Sequence, residues 1–159
     1  MRAVQRLFLV AGLVAAAGPG LTQAQTASQR QFYSAWRFSQ SKGYYFCSYY
    51  YKVEKTDVAY KEQYVIYKPS RTKEWVYWYN PETKKYWARC ATKFHPTLGD
   101  DVKKGADIWC ILPDRAKKAA LAEVDDKDFP EAVNKAPVIP GSTDGKTVYC
   151  PPDPPNLPD

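Results

Sequence analysis

The chain has 159 residues and a formal net charge of +6, with 13 Tyr, 5 Trp, 13 Pro, 4 Cys and a single His. That length suits one domain with a core of its own. Lys and Arg alternate with Asp and Glu instead of forming a dense stripe, which argues against a nucleic-acid partner, and one histidine leaves little for metal or His-based catalytic chemistry, so no cofactor is expected.

Residues 1–24 read as a signal peptide. Arg2 and Arg6 open it, and an apolar run over 7–17 has the length of a leader core and falls short of a bilayer span. Cleavage is expected after Ala24, with Ala17 as the other small residue in place, and no Cys follows the run to carry a lipid. The mature protein is therefore expected to be secreted, or periplasmic in the cell envelope, and peripheral at most to a membrane.

Residues 25–42 form a polar N-terminal segment, read as a tether with a short helix around 28–39. Residues 43–128 form an aromatic-rich β domain. "YYFCSYYYKVE", "AYKEQYVIYK", "EWVYWY" and "KYWARCAT" are rich in the Tyr, Trp, Val and Ile that suit a pleated sheet. "KTD", "PSRT" and "NPET" between them carry turn residues. Connections that short make neighbouring strands antiparallel. An internal echo at an offset of twelve supports the reading: Tyr67, Pro69, Lys73 and Trp75 recur as Tyr79, Pro81, Lys85 and Trp87. "HPTLGDDVKKGA" reads as a loop, 107–112 as a fifth strand, and 114–124 as a helix with Asp114 as its N-cap. Residues 129–159 form a Pro-rich extended tail. The fold expected is mainly β: an antiparallel meander of four to five strands, one short helix and the tail.

"GYYFCSYYYK", "YVIYKPSR", "VYWYNPETKKYW", "DFPEA", "PVIPGSTDG" and "PPDPPNLP" occur in this order over 43–159. In this respect the chain resembles an uncharacterised family of small secreted, tyrosine-rich planctomycete proteins. The resemblance implies the same strand architecture and export, and it brings no activity with it. Ala88 stands where that family has Gly, and Cys90, Cys110 and Cys150 are departures from it.

An even cysteine count in an exported chain reads as two disulfides among Cys47, Cys90, Cys110 and Cys150. Sequence leaves three pairings open. Cys47–Cys90 with Cys110–Cys150 is the preferred one, because the second bridge pins the tail to the domain.

Three motifs point to chemistry and are weighed against plainer readings. "GSTDGKT" lacks the spacing and the following helix of a phosphate loop, so Asp144-Gly145 reads as a tight turn. "VYWYNPETKKYW" has the Asn-to-Thr turn spacing of a WW module but is one residue short before Trp87. An aromatic sheet face is still suited to docking a Pro-rich segment, this chain's own tail included. A small hydrolase would have to use Asp100 or Asp101 with His95, all three of which lie in loop text.

The rings carry the main functional expectation. Between Tyr44 and Trp87 lie eleven Tyr, three Trp and one Phe. In "WVYWY", Trp75, Tyr77 and Tyr79 point one way, Val76 and Trp78 the other. A second face with five open rings would show on the order of 500 Å² of apolar surface, more than most monomers leave uncovered. The expected platform is Trp75, Tyr77, Tyr79 and Trp87 with Arg89 at its rim. It would serve a non-enzymatic exported binding or structural protein. Its partner would be an envelope polymer, a carbohydrate, a protein, or a second copy in a homo-oligomer.

Overall fold

The structure, a computed structural model, describes residues 29–156. The leader expected over 1–24 lies outside them. The chain forms one seven-stranded antiparallel sheet from β1 (Gln31–Tyr33), β2 (Arg37–Ser39), β3 (Tyr44–Tyr51), β4 (Lys61–Tyr67), β5 (Trp75–Asn80), β6 (Lys85–Ala91) and β7 (Trp109–Ile111). Strands β3 to β6 are the meander read from the sequence, and β7 is the fifth strand, paired with β6. The β5–β6 turn is made by Asn80, whose Oδ1 accepts the backbone N–H groups of Glu82 and Thr83, and closes with Lys84 at φ 54°.

The helix expected around 28–39 does not form over its described residues, 29–39. β1 and β2 lie end to end along the outer edge of β3. An eight-residue edge strand presents a row of unpaired backbone groups, and β1 and β2 satisfy them. Ring pairs Phe32–Tyr50, Tyr33–Tyr49 and Phe38–Tyr45, with centroids 5.0, 5.1 and 4.8 Å apart, hold the register. Between the two strands, Ser34 exchanges bonds with Ser48 through its backbone N–H and its hydroxyl, and the chain turns there.

The helix expected over 114–124 is also absent. That stretch forms two separate 3₁₀ turns, Asp114–Ala116 and Leu121–Glu123, with extended backbone at Lys117 and Ala120, and a third turn, Asp126–Asp128, follows it. Tertiary donors hold the carbonyls of this stretch in the turned and extended arrangement, and the one at Lys118 is a carbonyl that a helix would have needed. Tyr86 N–H bonds to the carbonyl of Lys118 at 2.8 Å, and the Arg71 guanidinium donates to the carbonyls of Leu121 and Val124. The one α-helix among the described residues, α1 (Gly99–Lys103), lies in the stretch read as a loop. Asp100 and Asp101 sit in its first turn and Lys103 in its last, which suits the helix dipole, and Gly105 at φ 93° follows its end.

Gly99 is fixed by close approach. A Cβ there would lie 2.5 Å from the carbonyl oxygen of Lys93. Gly99→Ala is expected to destabilise the protein by about 2 kcal/mol through overpacking, read as a lower urea midpoint. An unchanged midpoint would show that the Lys93 turn gives way freely.

Both faces of the sheet are covered by the chain itself. On the first face Tyr49, Tyr51, Tyr67, Trp78 and Trp109 pack with Ile139 and Val148 of the tail. The tail is extended, as expected, but it supplies core residues that its composition did not announce. On the second face Trp75, Tyr77, Tyr86 and Cys110 pack beneath Leu121, Val124 and Phe129. The opposed directions read for Trp75, Tyr77 and Tyr79 against Val76 and Trp78 correspond to these two clusters.

The tail is held against the N-terminal strands in a fixed register. Gln31 Nε2–H donates to the carbonyl of Thr147 at 2.9 Å, the Tyr33 hydroxyl to that of Tyr149, and Trp36 Nε1–H to that of Pro152 at 3.0 Å. Each pair is separated by 116 residues, so the two segments run side by side in the same direction. Arg30 clasps the turn that follows Gly141, pairing with Asp144 and Ser142, and holds the Asp144 carboxyl well below the usual carboxylate range.

Only one disulfide forms among the described residues, and its pairing differs from the one preferred above. Cys90 bonds Cys150 with a Cα–Cα distance of 6.3 Å, while Cys47 and Cys110 are buried free thiols. Cys47 on β3 and Cys90 on β6 are three strand steps apart, roughly 14 Å at sheet spacing, beyond disulfide reach. Cys110 belongs to the second face and Cys150 packs on the first. Burial pushes the Cys47 thiol up to about 12 and also raises that of Cys110, which keeps both protonated and inert.

Candidate binding site

The expected platform does not form one surface. Trp75 is 7% exposed, Tyr77 0% and Arg89 8%. The Arg89 guanidinium is sandwiched between the rings of Trp75 and Phe129, 3.9 and 4.0 Å from their centroids, and pairs with Asp126 at 2.6 Å. It is a core cation, not a rim group. Tyr79 and Trp87 are half-buried and lie on opposite faces. The cause is a bulge: Trp78 pairs with Ala88 and Tyr79 with Tyr86, so Trp87 has no partner. It turns to the first face, where it meets Trp78 and Trp109 at 5.5 and 6.3 Å.

The hydrolase residues are spent on local structure. His95 Nδ1 accepts the backbone N–H of Leu98 at 3.2 Å and of Thr97 at 3.3 Å, and its ring stands edge-on to Trp75 at 4.8 Å. Burial lowers the pKa of this imidazole below its usual value, consistent with an acceptor nitrogen. Asp100 and Asp101 pair with Lys103 and Lys104 on the outer side of α1. No hydrogen bond or ion pair among the described residues joins His95 to either aspartate. Nor do the described residues contain a group of three His, Cys, Asp or Glu side chains placed to hold a metal ion.

What the chain leaves open is a cleft of about 540 Å³ on the second face. Its floor is Tyr44 and Phe46 of β3, Tyr64 of β4, Tyr79 of β5 and Tyr86 of β6, and its rim carries Arg37, Lys42 and Glu62. The segment after Leu112 reaches this end of the sheet only at Ala119, so the rings are walled but not roofed. They interlock edge to face: Tyr44 on Phe46 at 6.4 Å, Phe46 on Tyr64 at 6.3 Å, Tyr79 tilted on Tyr86 at 5.0 Å. Arg37 lies 4.8 Å from the Phe46 ring centre. Burial raises the pKa values of Tyr44, Tyr64 and Tyr86. Their hydroxyls stay neutral and able both to donate and to accept.

Of the residues singled out in the sequence, only Tyr79 lines this cleft. Tyr44, Phe46, Glu62, Tyr64 and Arg37 were missed individually. The alternation of Tyr44 with Phe46 and of Glu62 with Tyr64 places each pair on one strand face, but only the registers Phe46↔Ile66 and Tyr64↔Tyr79 bring the pairs together. A smaller hollow of about 470 Å³ lies on the first face beside Trp87, and one of about 240 Å³ lies against the disulfide, between residues of both clusters.

The chain matches no protein-family model, no curated protein and no solved structure.

Proposed function

We propose that the protein is a non-enzymatic, exported binding protein that takes a polysaccharide chain in the tyrosine cleft. One observation carries this reading: on the second face a cleft floored by the rings of Tyr44, Phe46, Tyr64, Tyr79 and Tyr86 stays open between charged side chains of both signs. A pyranose ring has an apolar C–H face that stacks on an aromatic plane and a periphery of hydroxyls that needs hydrogen-bonding partners. Tyr64 and Tyr79 supply the planes, and Glu62, Arg37 and the phenol groups supply the partners. A protein partner or a second copy fits less well, because a stable interface takes roughly 20–30 residues from each side and eleven line this cleft.

Export is part of the same reading. It is supported by the leader-like residues 1–24, by the disulfide, which suits an oxidising compartment, and by the resemblance to secreted tyrosine-rich proteins. No described helix is long and apolar enough to cross a membrane.

Affinity electrophoresis of the mature protein through gels containing hydroxyethyl cellulose, mixed-linkage β-glucan or galactomannan tests the reading. Retardation in at least one gel is expected, weakened tenfold or more by Tyr64→Ala combined with Tyr79→Ala at an unchanged circular dichroism spectrum. Unretarded wild-type protein in every gel, or a double variant retarded as strongly as wild type, would refute it.

A further inference from the structure

The hollow beside Trp87 is a built polar site on the opposite face from the tyrosine cleft. Its wall is the half-buried indole of Trp87, fixed by a 2.9 Å bond from Nε1–H to the Gln63 Oε1. Gln63 is itself only 1% exposed. With its oxygen committed to the indole, its amide N–H groups are left as donors, and the one contact they make is a long 3.4 Å approach to the Tyr51 hydroxyl. Asn80 is arranged the same way: its Oδ1 is occupied by the β5–β6 turn, so its N–H groups remain to be used. Two ammonium groups stand at the mouth. Lys117 pairs with Asp114 at 2.5 Å and forms a neutral unit with it. Lys85 makes no ion pair among the described residues, although its charge also acts on the Asp114 carboxylate, so two cations face one anion and one positive charge is in surplus.

A flat apolar wall, two oriented amides acting as donors and one surplus cation call for a ligand with a ring face and an anionic acceptor. We infer that this hollow is a second saccharide site, selective for a carboxylated sugar unit such as a hexuronate. The sugar ring stacks on Trp87 while its carboxylate accepts from Lys85 and the Gln63 and Asn80 amides. A neutral sugar would leave the surplus positive charge without a counter-charge, and a plain carboxylate would leave the indole uncovered. The site shares no residue with the tyrosine cleft, so the two readings stand or fall separately.

The test compares gels containing polygalacturonate with gels containing the same polymer methyl-esterified, using wild type, Lys85→Glu, Trp87→Ala, and the Tyr64→Ala/Tyr79→Ala double variant. Free galacturonate and acetate serve as competitors. Expected are retardation by the acid polymer at least tenfold stronger than by its ester, loss of that preference in Lys85→Glu and Trp87→Ala, and its retention in the tyrosine double variant. Lys85 is on the surface, so its substitution reports on the site even where Trp87→Ala disturbs packing. Galacturonate should displace the polymer and acetate should not. Equal retardation by acid and ester, or an unchanged Lys85→Glu, would overturn the proposal, and equal displacement by acetate would overturn its saccharide part.

Discussion

Cys150→Ala is expected to lower stability by about 4 kcal/mol, the chain-entropy value for releasing a cross-link that spans 60 residues. For a domain of this size that corresponds to a fall in melting temperature of roughly 15 °C. The bridge joins β6, in the middle of the first cluster, to the segment that carries Val148 onto the same cluster. Losing it therefore loosens the cover over Trp78 and Trp109 as well as enlarging the freedom of the unfolded chain. Dithiothreitol should bring wild type to the same midpoint, and a dye that binds exposed apolar surface should brighten in both cases below the transition. If reduced and oxidised protein melt together, the side-chain bonds from Gln31, Tyr33 and Trp36 hold the tail alone and the covalent link is redundant.

Trp78→Ala is the second large effect, expected at about 3–5 kcal/mol. Trp78 is fully buried and meets Tyr33, Tyr49, Trp87 and Trp109, with ring centroids between 5.0 and 5.9 Å. It is the one ring that ties β1, β3, β5, β6 and β7 into a single layer. Its Nε1–H has no hydrogen-bond partner among the described residues, so the indole acts here through area and shape. Trp78→Phe keeps a ring and leaves no orphaned donor behind, so it should cost clearly less than Trp78→Ala, by the smaller cavity it opens. Denaturation in urea measures both. A Phe variant as unstable as the Ala variant would show that the indole N–H bonds an ordered water whose loss matters.

The parts of the fold that local chemistry decides were legible in the sequence. β3 to β6 follow from rings and β-branched residues cut by Asn, Pro and Ser, and the turn at Asn80 follows from its own side chain. The parts that distant partners decide were not. Residues 31–39 carry no strand signal strong enough by itself; they become strands because β3 offers them an edge. Residues 114–124 have helical spacing, yet Tyr86, far away in sequence, claims the Lys118 carbonyl that a helix would need, and Arg71 pins the carbonyls of Leu121 and Val124. The disulfide could not be chosen without strand order, because Cys47 and Cys90 look compatible until two strands are placed between them.

The same division governs the candidate sites. Alternation correctly separated Trp75, Tyr77 and Tyr79 from Val76 and Trp78, but the bulge that sends Trp87 to the other face needs the pairing of Trp78 with Ala88 and is silent in composition. Nor does composition tell an open ring from a covered one. Trp75 and Tyr77 were the obvious platform in the text, and Phe129 and Arg89 close over them. The open patch falls instead on Tyr44, Phe46 and Tyr64, where the covering segment stops short.

The shared offset of 116 residues between the side chains of Gln31, Tyr33 and Trp36 and the backbone they grip has a kinetic meaning. Contacts between segments this far apart in sequence form late and slowly. A polypeptide emerging amino end first cannot finish its interior until residues near 150 are free, so the covers of both sheet edges and the first face close only when synthesis is nearly done.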